Sequence, residues 1–368
     1  MKTNDPRLAL TIPQENIEME AWKQIEDILT LDCLKRLAIM PDVHAGYDMP
    51  IGGVALLEGF ISPSFVGYDI GCGMCHVNTG LSLKDCGIET KPERDLFLEK
   101  LRARIPVGFE RHESTSIEDF NFDSASGDTT LTQCVRSKAN AQFGTLGGGN
   151  HFLEVGINRL GEVGVTIHSG SRRSGWEIGE WYMKQGRLLS LNSDLGRAYA
   201  DDMDWALVYA LGNRKAMMLI ALETLGIQNA IGFKAGRLVN ENHNHAIILG
   251  DSMVLHRKGA TPANEGQMGI IPANQRDGVF ITRGLGNKEY LSSASHGAGR
   301  AMSRGQARRS ISIEVFREQM TGISCRTDEG VLDEAPDAYK DIKKVLAAQD
   351  GLLVDVIDHF SPIIVLKG

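Results

Sequence analysis

No stretch of the sequence approaches the roughly 20 apolar residues of a membrane span. Its start, MKTNDPRLAL, has no long apolar region behind a basic one. A membrane anchor and a secretory leader are therefore not expected, and a bacterial or archaeal cytoplasm is. Cysteine is sparse: six in 368 residues, without the dense spacing of a small disulfide-held domain. Positive charge is not in excess. A formal net charge of -8 argues against coating nucleic acid by bulk charge, while leaving room for a local basic groove. Solenoid-type repeats and low-complexity linkers are also missing.

What is present is a globular composition. Hydrophobic residues make up 42%, enough for a sizeable core. Glycines cluster at 46–53, 67–73, 144–149 and 297–299. Helical spacing predicts helices over Ile17–Leu29, Arg94–Arg104, Trp176–Leu189, Met203–Leu225 and Ala338–Ala348. Short apolar runs predict strands over Gly53–Leu57, Gly164–His168, Val279–Thr282 and Ile363–Leu366. Without a βαβ rhythm, the expected class is α+β, in one intertwined domain over 1–368. The segment 111–129, rich in Ser, Asp and Glu, reads as a surface loop.

The sharpest local motif is Gly67-Tyr68-Asp69-Ile70-Gly71-Cys72-Gly73. Glycine lets the backbone bend so that Asp69 and Cys72 turn to one point. A carboxylate and a thiolate can hold a divalent ion, and a thiolate can bridge two. Taken alone, the segment reads equally well as a tight turn with an incidental cysteine. Three histidines shift that balance: His151 after Gly147-Gly148-Gly149-Asn150, His168 before Ser169-Gly170-Ser171-Arg172, and His243 in Asn242-His243-Asn244-His245. Each lies by a Gly-rich or polar loop, and with Asp69 and Cys72 they suit Mn, Fe or Zn. Cys72 and Cys75 also form a C-x-x-C. A redox or zinc reading ranks lower, because no second pair and no βαβ context accompany it.

A second constellation is His296-Gly297-Ala298-Gly299-Arg300. Its glycines let backbone approach a phosphate, and Arg300 can neutralise charge. The imidazole could attack phosphorus as a nucleophile or could only donate a hydrogen bond to phosphate; local chemistry leaves both open. His256-Arg257-Lys258-Gly259-Ala260-Thr261 reads as a basic loop for phosphate or RNA backbone, or as a solvated turn. Gly144–Gly149 lacks the Lys and Ser/Thr of a P-loop and the spacing of a Rossmann fingerprint.

In this order, Pro41-Asp42-Val43-His44-x-Gly46, Gly67-x-Asp69 to Met74, Gly147 to Phe152, His168 to Arg172, His243-Asn244, His256 to Thr261 and Ser295 to Arg300 resemble the motifs of RtcB-type RNA-splicing ligases. Ile364 to Gly368 resembles that family's closing segment. The resemblance spans about 42–368. It implies the family's own α+β fold and two Mn²⁺ ions, one on Asp69, Cys72 and His151, the other on Cys72, His168 and His243. It implies a GTP site lined by Asn150, His151, Phe152, Leu153, Glu154, His243 and Asn244, with Lys367 at the guanine. Pro272, Ala273, Asn274, Gln275, Gly297, Ala298 and Gly299 are expected to border the nucleotide. His296 would carry GMP, pass it to an RNA 3′-phosphate made from a 2′,3′-cyclic phosphate, and let a 5′-hydroxyl displace it. Arg172, Arg173, Lys258 and Arg300 are candidates for RNA or triphosphate oxygens.

The implied partners are RNA with broken ends, such as tRNA, in repair or splicing, and a monomer is the expected state. The chain departs from the family pattern at Pro272–Val279, where Asn274 stands for a serine and Val279 for a hydroxyl residue, and also at Tyr68 and Arg173. Two other functions compete. One is a two-metal phosphoesterase that opens RNA 3′ ends without joining them. The other is a silent RNA-binding protein, which would have no chemical need for the full ligand set.

Overall fold

The computed structural model describes residues 5–112, 120–227 and 238–368. Its class is α+β, as expected. One sheet runs in the order Leu8–Leu10, Leu34–His44, Ile51–Glu58, Met253–Lys258, Asn244–Leu249. A larger sheet runs Met268–Pro272, Val279–Gly284, Val354–Lys367, Phe152–Ile157, Val163–Ser169, Gly73–Asn78, Leu238–Asn242, with Ser324–Cys325 added beside Val354–Lys367. Most pairings are antiparallel.

The core explains which faces are covered. Apolar residues of the larger sheet, among them Cys75, Val77, Leu153, Val165 and Ile167, pack against Phe97 and Leu101 of the helix Lys91–Arg104. Met217, Ala221 and Leu222 of the helix Asp194–Thr224 complete that layer. A second core holds the helix Met19–Leu29 against the smaller sheet through Trp22, Ile25 and Ile28.

All four expected strands lie inside observed ones. The helices differ mainly at their starts. Lys91–Arg104 begins three residues before the expected Arg94, because Thr90 and Glu93 form a reciprocal capping box with Pro92 in the first turn. Asp194–Thr224 begins nine residues before Met203, capped where the Ser193 hydroxyl accepts from Gly196 N–H. The expected 176–189 helix runs instead over Arg172–Gln185; it stops at Gly186, and Leu189 pairs with Ile61 as a short strand. The expected 338–348 helix is the shorter Ile342–Ala347. Within 111–129, residues 113–119 lie outside the described residues; 120–128 contain no helix or strand, and Phe122 and Ser124 are buried. A further helix, Thr129–Gln142, starts where the Asp128 side chain accepts from Leu131 N–H.

The expected basic loop at 256–261 is a correction. His256, Arg257 and Lys258 end a strand paired on both sides, with Ile51–Glu58 and with Asn244–Leu249. All three side chains are buried. The alternation of a strand between two neighbours, not a solvated turn, places them.

The two sheets meet where the chemistry-bearing residues lie. Leu238–Asn242 belongs to the larger sheet and Asn244–Leu249 to the smaller, so the chain crosses between them at His243. Among the described residues, no helix is long and apolar enough to cross a membrane.

Candidate active site

Strand register brings the ligand candidates together. Gly73 lies opposite Ser169 and Asn242, and Phe152 opposite His168. Cys72, His168, His243 and His151 each stand on or beside those paired residues, so four strand ends deliver them to one place. Cys72 Sγ is 3.4 Å from His151 Nε2 and 3.2 Å from His168 Nε2. His151 Nε2 is 3.2 Å from Asp69 Oδ2, and His168 Nε2 is 3.3 Å from His243 Nε2. The row is continuous from Asp69 through His151, Cys72 and His168 to His243.

The donor chemistry of this row fits a cation. His151 Nδ1 faces the Leu146 carbonyl and His168 Nδ1 the Asn150 carbonyl, each at 3.1 Å. A carbonyl only accepts, so both Nδ1 atoms carry protons, and Nε2 of each ring is turned toward Cys72. Outer carbonyls that orient the ring in this way are typical of metal-binding histidines. Burial holds His168 and His243 well below the ordinary histidine range. Neutral imidazoles are what a metal requires. Burial pushes Asp69 up, but its contact with His151 outweighs this and holds it at about 2, as a carboxylate. Burial and the neighbouring Asp69 push the Cys72 thiol up. Cys72 would ionise here only against a bound cation. Cys75 instead lies in the core, so the C-x-x-C does not present two ligands to one point.

Behind the row sits Arg214, fully buried on the helix Asp194–Thr224. Its Nη1 donates to the carbonyls of Gly71 and Ser169, both at 2.8 Å, and its Nη2 to Asn242 Oδ1 at 2.7 Å. One guanidinium therefore fastens the residues next to Cys72, His168 and His243. Arg214→Lys keeps the charge but cannot span these acceptors. We expect metal affinity, read by Co²⁺ titration, to fall about 10- to 100-fold in a variant whose far-ultraviolet circular dichroism is unchanged. Unaltered affinity would remove Arg214 from this role.

His296 follows the strand Ser293–Ser295, and its ring lies 4.9 Å from that of His243. Its Nδ1 is 2.7 Å from Oδ2 of the fully buried Asp42, which also accepts the His296 backbone N–H at 3.2 Å. With Nδ1 bound to Asp42, the lone pair resides on Nε2. Two glycines make the approach possible. A Cβ on Gly299, at φ +74°, would strike the Asp42 carbonyl, and one on Gly259, at φ +58°, would crowd the His296 ring.

A cavity of about 670 Å³ opens onto this group. Its walls include Asp69, Cys72, Asn150, Phe152, Glu154, His168, His243 and Asn244, together with Lys258, Pro272 to Gln275, His296 to Arg300 and Lys367. His151 lines an adjoining cavity of about 340 Å³, with Asn150, Arg304 and Arg308. Leu153 is different: on the strand Phe152–Ile157 its neighbours Phe152 and Glu154 face the cavity, while its own side chain lies in the core.

The candidate phosphate-binding cations are dispersed. Lys258 is on the cavity wall, where it donates to the carbonyls of Tyr47 and Ser64, and burial lowers it to about 8. Arg300 is on the wall and paired with Glu334 at 3.0 Å. Arg172 lies under the glycine-rich loop, bonded to Thr145 Oγ1 and the Gly108 carbonyl, and does not line the main cavity. Arg173 is on the surface, paired with Glu177.

Asp42, Arg214 and Glu334 join the site only in the folded chain. Glu334 gathers Arg300, Arg304, Tyr339 and Lys367, and against the effect of burial these partners hold it at about 2. Asp42 did leave a signal, as a lone acid in the otherwise apolar run Leu37 to Val43.

A sequence profile described as tRNA-splicing ligase RtcB matches residues 24–368. The chain belongs to the RtcB family. "RNA-splicing ligase RtcB" of Escherichia coli K12 is 35% identical, over 96% of this chain and 95% of its own. "RNA-splicing ligase RtcB" of Mycobacterium bovis is 30% identical, over 94% of this chain and all of its own. "tRNA-splicing ligase RtcB" of Aeropyrum pernix is 28% identical, over 98% and 95%. In this member of the RtcB family, Asp69, Cys72, His168, His243 and His296 line one cavity, and His151 lines the adjoining one.

Proposed function

We propose that this enzyme, an RNA ligase by family, joins a 2′,3′-cyclic phosphate or 3′-phosphate RNA end to a 5′-hydroxyl end. It consumes GTP through a histidine–GMP intermediate on His296, with Mn²⁺ as the metal. The observation that carries the reading is the Asp42–His296 contact, which leaves Nε2 free beside the ligand row. The metal, when bound, would neutralise phosphate charge and favour in-line attack.

The chain's own residues supply the rest. His296 Nε2 forms a bond to the α-phosphorus as pyrophosphate leaves. Water first opens a 2′,3′-cyclic phosphate end to a 2′-hydroxyl and a 3′-phosphate. An oxygen of that 3′-phosphate then takes the GMP and the P–N bond breaks. A 5′-hydroxyl attacks the activated 3′-phosphorus and gives up its proton to solvent, the new phosphodiester forms, and GMP departs. Asp42 receives the Nδ1 proton contact throughout and holds the ring orientation. Asp69, Cys72 and His151 would hold one ion, and Cys72, His168 and His243 the other.

The choice of GTP rests on Glu154 and Lys367. Glu154 is fully buried, its Oε1 has no hydrogen-bond partner among the described residues, and burial pushes the carboxyl well up. A buried acceptor without a donor is costly unless a ligand satisfies it. The N1–H and amino edge of guanine offers those donors, and its O6 suits the buried Lys367 ammonium on the same wall. Asn274, at the altered segment, borders this cavity and bonds to Asp277.

The test is direct. Wild-type protein with Mn²⁺ and GTP should join a cyclic-phosphate RNA to a 5′-hydroxyl RNA, and should stop when GTP is omitted. Cyclic phosphate opened without joining, with no need for GTP, would favour a phosphoesterase instead.

A further inference from the structure

A row of flat side chains leads out of the main cavity. Tyr68 is on its wall, next to the ligand candidate Asp69. The Tyr68 ring stacks on Trp176, with centroids 5.7 Å apart and planes at 20°. Tyr47 also stands against it, 5.6 Å away at 52°, and is 56% exposed. The Arg173 guanidinium covers Trp176 at 3.5 Å and closes the row.

This row is built, not merely exposed. Lys258 and the Met49 N–H both hold the Tyr47 carbonyl. Arg173 is fixed from beside by Glu177 at 2.9 Å. Among the described residues, neither Tyr47 nor Tyr68 has a hydrogen-bond partner for its phenol oxygen. The rings therefore do not stand where they are to satisfy a polar contact inside the fold. Ordering flat rings in advance lowers the cost of stacking a further ring on them.

The surrounding charges decide what that further ring is. Arg173 is spent on Glu177 and Trp176, and Asp48, next to Tyr47, pairs with Arg187 at 2.7 Å. Glu18 and Glu20 line the cavity, Glu18 beside Ala45, and the nearby cation Lys258, 5.9 Å from the Tyr47 ring, is taken up by the carbonyls of Tyr47 and Ser64. What it offers is aromatic faces. An RNA end whose phosphate lies at His296 brings along a neutral, planar base. The guanine of GTP has its own acceptor and donor at Glu154 and Lys367.

We propose that Tyr47, Tyr68, Trp176 and Arg173 form a stacking ledge that takes the nucleobase nearest the RNA end being joined. This rests on the RNA-end reading given above. Base–aromatic stacking tolerates any base, because every base has a π-face. The ledge would therefore grip the end nucleotide without imposing a sequence.

The test uses the full chain with Mn²⁺ and no GTP. RNA oligonucleotides carry 2-aminopurine at the 3′-terminal or the 5′-terminal position, with matched oligonucleotides abasic there. Binding to wild type should quench the fluorophore at one of the two ends. Tyr47→Ala and Tyr68→Val should each remove the quench and weaken binding about tenfold. The abasic RNA should bind wild type about tenfold more weakly, with no further loss in either variant. Absence of quenching at both ends, or equal affinity for abasic and intact RNA, would overturn the ledge, as would variants that weaken both RNAs equally. Covalent labelling by GTP is read separately on the same proteins and should be unchanged in Tyr47→Ala. Quenching without any wild-type labelling would leave the ledge standing and sink the histidine–GMP route.

Discussion

Cys72→Ala should abolish joining. The expected fall exceeds the roughly 10- to 100-fold that follows loss of a mere outer-shell partner of a metal. The reason is position. Cys72 Sγ is the atom that touches both halves of the row, His151 on one side and His168 on the other. Removing it leaves two separated half-sites, with the Asp69 carboxylate and three imidazoles at the wrong spacing to share charge. Co²⁺ offers a readout that does not depend on activity. The wild-type complex should show a thiolate-to-metal charge-transfer band and the variant should not. A variant that still joins RNA at the wild-type rate, with the same metal content, would mean that the row is not a metal centre. Because Cys72 is buried beside Gly71 and Gly73, thermal melting must show that the variant is folded.

Asp42→Asn should be the second most damaging change, for a different reason. Asp42 Oδ2 receives two donors, the Nδ1 and the backbone N–H of His296. Its volume and burial are kept by asparagine, but its charge is not. The amide can also turn its NH₂ toward Nδ1, which then must accept, and the proton moves to Nε2. That puts a proton on the atom that would attack in the proposed histidine–GMP route. Where a buried acid orients a catalytic histidine, loss of the correct tautomer has cost up to about 10⁴-fold. We expect guanylylation to slow by about 10²- to 10⁴-fold, with Co²⁺ affinity unchanged, since Asp42 is not in the ligand row. Equal rates of labelling in Asp42→Asn and wild type would show that this contact does not position the nucleophile. Asp42 itself need not touch substrate for this to hold.

Much of the site was legible from residue types next to glycines. Asp69, Cys72, His151, His168, His243 and His296 all stand at strand ends or in loops, where a local motif carries the signal. What could not be read was how they meet. That depends on register: Gly73 opposite Asn242 and Ser169 is a pairing between segments far apart in the chain, and no local pattern encodes it. The same limit hid Arg214, which looks like one more charged residue of a long helix until Gly71 and Ser169 are placed against it. His256, Arg257 and Lys258 were misleading in the opposite sense. Three basic residues before a glycine resemble a surface loop, yet two flanking strands bury them. Strand alternation was likewise not visible locally: it sends the Leu153 side chain to the core while Phe152 and Glu154 face the cavity. The start of Lys91–Arg104, by contrast, was present in the sequence as Thr90, Pro92 and Glu93.

The central claim is that His296 becomes covalently guanylylated. The most direct measurement incubates the full chain with Mn²⁺ and GTP labelled at the α-phosphate, then maps the labelled peptide. The account predicts an acid-labile phosphoramidate on the peptide holding His296, with none formed by His296→Ala. Failure of metal-replete wild type to label, or equal labelling of His296→Ala, would contradict it.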